Sequence, residues 1–228
     1  MSVVPSTVSA MRRGYVEAHV SLRESFQAAV RWLGERPTLI APSTSAVEAS
    51  GWLESVGIPI GTTSNRHSRF GARPQGAVIA WCLNLDEILD IESRQEVDYL
   101  VVVRAHASHA PWITAHAAEY LAGEVIEPVG EASAAIKAMV EGISLLPVLN
   151  QGLSDSRERA MAVQALTFMH MRGHELVPVQ LVVEAIRNEW PRQSPLELAD
   201  LARSINQGKR LRFQNRLRPE VLEEWAGL

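Results

Sequence analysis

The sequence predicts an α/β fold: a small parallel sheet with flanking helices, followed by a helical C-terminal part. Short apolar runs alternate with amphipathic stretches up to about residue 130. Three of those runs, Thr38–Ala41, Ala77–Trp81 and Tyr99–Val103, are apolar almost without a break, as strands buried on both faces are. Beyond them the apolar period is helical until residue 208.

Taken in order, residues 6–33 read as one long helix. Met11, Tyr15, Ala18, Leu22, Phe26, Ala29 and Leu33 recur at spacings of three and four, Gly34 fits the cap, and Pro37 stops continuation. Residues 1–35 are therefore set apart as an N-terminal helix, a candidate for homodimer formation. The strand near 37–41 runs into Pro42-Ser43-Thr44-Ser45, a helix N-cap cluster, and a helix follows to Gly57. Ile58-Pro59-Ile60 reads as an edge strand. Residues 61–76 form a loop with Arg66, His67, Arg69 and Arg73 and no acid. A strand ending at Trp81-Cys82, a helix over 84–92 and the strand 99–103 come next. A helix then runs from Trp112 through Tyr120, and Glu124-Val125-Ile126 is a fifth strand candidate. Residues 130–143 are helical, and residues 144–154 read as a linker.

The last third holds three helices. Asp155 opens the first, Pro178 sits in the first turn of the second, and Ser194 with Glu197 has capping-box spacing for the third. After Gly208 the period becomes alternating: Leu211, Phe213 and Leu217 on one side, Arg210, Arg212, Arg216 and Arg218 on the other, with Gln214-Asn215 as a turn. That pattern predicts a hairpin with a cationic outer face. The division expected is a Rossmann-like domain over 36–145 and a helical domain over 155–228.

Composition limits the function classes. The chain has 228 residues, 46% of them hydrophobic, with a net charge of −4, so nucleic acid would need a local basic patch. No run has the length of a membrane span, and no signal-peptide core opens the chain. Cys82 stands alone, so no intrachain disulfide forms; a cytoplasmic protein is expected. No Gly-x-Ser-x-Gly and no Gly-x-Gly-x-x-Gly occurs, so no catalytic residue and no cofactor is assigned. His106, His109 and His116, and the pair His170 and His174, read as ordinary surface histidines rather than metal ligands.

Between residues 203 and 218 there are six cations and no acid: Arg203, Lys209, Arg210, Arg212, Arg216 and Arg218. Three helices, this basic hairpin and a short closing helix from Pro219 resemble a winged helix-turn-helix over residues 155–228. The resemblance implies a third helix that enters a DNA groove, with Arg203, Asn206 and Gln207 at its end, and a wing on the backbone. Residues 36–104 resemble the second RecA-like lobe of superfamily 2 helicases: Leu39-Ile40-Ala41-Pro42-Ser43-Thr44 as the opening strand and turn, Ala77–Trp81 as a later strand, and Arg104 after the last. There is no Walker motif and no Asp-Glu box, so the resemblance implies a degenerate lobe that binds rather than hydrolyses.

The leading expectation is a non-enzymatic, nucleic-acid-binding or regulatory protein that contacts DNA through the basic hairpin. The alternative is an enzyme or sensor holding a nucleotide or phosphate ligand on the strand-to-helix loops, at Ser43, Thr44, Ser45, Arg66, Arg69, Arg104 and His106. A third is a scaffold dimerising through the N-terminal helix.

Overall fold

The computed structural model describes residues 11–64, 69–94, 96–145 and 152–228. They fall into two compact units, one running to His106 with 118–126 added, the other holding 107–117 and 127–228.

The first unit is a six-stranded parallel sheet. In chain order its strands are β1 (Arg12–Glu17), β2 (Thr38–Ala41), β3 (Ile60–Thr62), β4 (Gly76–Trp81), β5 (Val97–Ala105) and β6 (Glu119–Ala122). Their spatial order is β3-β2-β4-β5-β1-β6. The apolar runs are inner strands, as their composition requires: Val78, Ile79, Ala80, Leu100, Val101 and Val102 have no exposed surface. Ile60 begins an edge strand, as Pro59 predicts. Helix α1 (Leu22–Leu33) lays Phe26, Ala29 and Leu33 against Leu39, Ile79, Trp81, Val101 and Val103. Fully burying a Phe, Leu, Ile or Val side chain of this set contributes about 1.5–3 kcal/mol. Phe26, Trp52 and Trp81 meet edge to face, with ring centroids 5.5–6.4 Å apart. Helix α2 (Thr44–Glu48) is one short turn and α3 (Leu85–Glu92) follows β4.

The single helix expected over residues 6–33 is corrected. Residues 6–10 lie outside the described residues, and Arg12–Glu17 form β1, inserted between β5 and β6. Tyr15 and Val16 are consecutive and both buried, which a parallel inner strand demands and a one-sided helix does not. Of the expected helix, Leu22–Leu33 is helical. The fifth strand is likewise displaced, to Glu119–Ala122, because the helix before it stops at Ala117 in a left-handed conformation (φ 48°).

Glu17, at the end of β1, is 5% exposed. Its carboxylate accepts the His19 N–H at 2.9 Å and lies 2.8 Å from His19 Nδ1. Gly123 (φ 103°) must be a glycine here, since a Cβ would stand 2.6 Å from that of Glu17. Burial pushes the carboxyl pKa up, but the His19 N–H, the His19 charge and the Glu124 N–H outweigh it and hold it below the usual range. The ionised form is thus favoured by folding, and its stabilisation is present above the ordinary glutamate pKa and lost as pH falls through the folded value. Glu17→Gln is expected to cost about 1–2 kcal/mol at pH 7. In thermal melts the gap to the native protein should narrow as pH falls below the ordinary glutamate range and through the lowered folded value.

The second unit is helical: α4 (Ala110–His116), α5 (Ala134–Ser144), α6 (Ser156–Met171), α7 (Pro178–Arg187), α8 (Ser194–Asn206) and α9 (Pro219–Ala226). Helices α4 and α5 belong to this unit, not to the sheet domain where the 36–145 division put them, because both pack on α7. Its core joins Ile136, Met139 and Ile143 of α5, Met161, Ala165 and Leu166 of α6, Leu181 of α7, Leu198 and Leu201 of α8, and Leu222 and Trp225 of α9. Asp155 caps α6, accepting the Arg157 and Glu158 N–H groups. Pro178 and Pro195 occupy first turns, where a proline removes no helical bond. The capping box at Ser194 does not form: Ser194 is buried and its Oγ accepts the Leu153 N–H at 3.1 Å instead. Among the described residues, no helix is long and apolar enough to cross a membrane.

Candidate nucleic-acid interface

Helix α8 ends in a Schellman turn. Gly208 takes φ 76° and the Lys209 N–H reaches back to the Ser204 carbonyl at 3.0 Å. The chain then leaves the helix as an arm, 209–217, and enters α9 at Pro219. The hairpin expected here is corrected: the arm contains no strand. Its backbone partner is a side chain. Gln164 of α6, itself buried, accepts the Arg216 N–H at 2.7 Å and the Leu217 N–H at 2.9 Å, and donates to the Leu217 carbonyl at 3.0 Å. One amide thus satisfies backbone groups that strand pairing would otherwise have to satisfy.

Two apolar feet seat the arm. Leu217 is buried in the helical core and Leu211 packs against it. Phe213, expected to face the core in a hairpin, is exposed. Lys209, Arg210, Arg212, Arg216 and Arg218 are exposed as well. Lys209, Arg210, Arg212 and Arg218 have no ion-pair partner among the described residues, and the Arg216 guanidinium bonds the neutral Gln214. Of the acids that follow in α9, Glu223 pairs with Arg172. Arg203 differs, since it sits one helical turn from Asp200 and pairs with it. The structure brings five of the six predicted cations together on the arm and its end, and binds the sixth to an acid.

Several of the phosphate-ligand residues are engaged with near neighbours. Ser43 uses its hydroxyl locally, accepting the Ala46 N–H at 3.2 Å and standing 2.9 Å from Ser45 Oγ. Thr44 opens α2, and Arg66 lies outside the described residues. Arg69 is drawn away by Glu48 and Glu54, at 3.0 and 2.9 Å. Arg104, next to last in β5, is left-handed (φ 64°), His106 follows β5, exposed, and Cys82, just after β4, is left-handed too (φ 55°). Burial raises the Cys82 pKa against the pull of the Arg104 guanidinium, which keeps the sulfur a thiol. Among the described residues no group of three His, Cys, Asp or Glu side chains is placed to hold a metal ion.

Gln164 and the exposure of Phe213 are what sequence reasoning missed. A buried glutamine in a helical apolar pattern signals a backbone partner, but not which one.

A family model described as a domain of unknown function, DUF1889, matches residues 134–226. That span begins at the first residue of α5 and ends at the last of α9, so it takes in the arm and the helices that hold it. No curated protein and no solved structure matches the chain.

Proposed function

We propose that this protein binds nucleic acid through the arm between α8 and α9. One observation carries the reading: five exposed cations within ten residues, no acid among them, on a backbone fixed by Gln164 and Leu217. Guanidinium groups offer planar forks of donors that suit phosphate oxygens. A fixed backbone supports binding because less freedom is lost when contacts form. With the chain at a net charge of −4, attraction comes from this patch and not from overall charge.

The test is fluorescence anisotropy with labelled single- and double-stranded oligonucleotides at about 50 and 200 mM salt. Five neutralised phosphates give a slope of log affinity on log salt of about −3.5 on single strands, so the fourfold rise in salt should weaken binding about 100-fold. Absence of binding at the lower salt, or binding indifferent to salt, overturns the reading.

A further inference from the structure

A cleft of about 550 Å³ opens within the helical unit where α6 ends and α7 begins. Leu176, Val177 and Pro178 give it apolar walls, and His170, His174, Glu175 and Asn206 give it polar ones. Two of these side chains are tied in place. The His174 ring meets the Ala226 carbonyl through Nε2 at 3.2 Å, and Asn206 donates to the Leu176 carbonyl at 2.8 Å. That bond uses the donor side of the Asn206 amide and leaves its oxygen without a hydrogen bond among the described residues. His170 and Glu175 are exposed and have no partner among the described residues.

We propose that this cleft takes one unstacked base of a single strand whose phosphates lie on the arm, with guanine preferred. The inference rests on the nucleic-acid reading above. Asn206 belongs to both places: it lines the cleft and ends α8, and Arg210 follows four residues later, at most about 14 Å away along the chain. Charge separates the two roles. Glu175 repels phosphate, so the arm takes the backbone and the cleft takes a neutral group. Apolar walls suit the faces of a planar ring. The carboxylate and the Asn206 oxygen are acceptors, and they select a ring edge that carries donors. Guanine presents two adjacent donors, N1–H and the N2 amino group, whereas thymine presents a single N–H.

Those edges are paired in a duplex, so the base must come from a single strand. Phe213, exposed among the cations of the arm, offers a neighbouring base a stacking face.

The experiment compares the full chain's affinity for labelled 12-mers of oligo-dT and of alternating dG and dT, at about 50 mM salt. The guanine strand is expected to bind about tenfold more tightly. Glu175→Gln should shrink that ratio to below about threefold, whatever it does to the two affinities separately. Glu175 is exposed, so the variant should keep the native melting temperature. Equal affinity of the native protein for the two strands overturns the cleft assignment and leaves the arm standing. An undiminished ratio in Glu175→Gln also overturns it. Failure to bind either strand overturns the nucleic-acid reading itself.

Discussion

Replacing Arg210, Arg212, Arg216 and Arg218 together by Ser is expected to weaken binding of single-stranded DNA at 50 mM salt about 100-fold. An exposed charge pair contributes about 0.7 kcal/mol at low salt. Four of them sum to about 3 kcal/mol, which is a factor of about 100 in affinity. The salt slope should fall in parallel, from about −3.5 toward about −0.7, because Lys209 alone remains. Stability should change little, within about 0.5 kcal/mol per site, since these side chains are exposed and make no ion pair among the described residues. Arg203→Ser is the internal contrast. Its guanidinium already pairs with Asp200, so its loss should change the slope by less than one arm arginine does. Anisotropy titrations at several salt concentrations, with thermal melts of each variant, measure all of this. A four-Ser variant that binds as the native protein does would place the contact elsewhere.

The sheet was legible where burial on both faces left no alternative. Ala77–Trp81 and Tyr99–Val103 are too continuously apolar for a helix with a wet side, and they form β4 and β5. The first strand was not legible by period. Met11, Tyr15, Ala18 and Leu22 satisfy a helical template while Val16, wholly buried, falls off it. A local signal did mark the break: Ser21 caps α1, its Oγ accepting the Glu24 N–H and meeting the Glu24 carboxylate. The α4 boundary at Ala117 was hidden because alanine is a poor marker of a left-handed stop. The cations of the arm were plain in the sequence. That Glu223 pairs with Arg172 and not with the arm was not, because the two residues lie 51 positions apart. Alternation over 209–218 misled because period two describes any extended backbone; only a partner strand makes it a hairpin, and Gln164 takes that partner's place.

Gln164→Leu is expected to separate the arm's charge from its position. The substitution keeps the bulk in the core but removes two acceptor contacts and one donor contact to Arg216 and Leu217. If the arm stayed in place, two N–H groups and a carbonyl would be left without those partners, at about 1–3 kcal/mol for each one kept from water. Releasing the arm avoids that cost but withdraws Leu217 from the core, which forfeits about 1.5–3 kcal/mol. The smaller loss sets the outcome, so the variant should be about 2–3 kcal/mol less stable, a fall in Tm of roughly 4–12 °C. Affinity should drop as well, since a loosened arm must be ordered on binding. The salt slope should not change, because all five cations remain. Gln164→Glu should also lower stability, because a carboxylate accepts both N–H groups but cannot donate to the Leu217 carbonyl and carries a charge into a buried position. Unaltered affinity in a less stable Gln164→Leu protein would mean that charge alone serves the arm. A changed slope would mean that Gln164 governs which cations reach the phosphates.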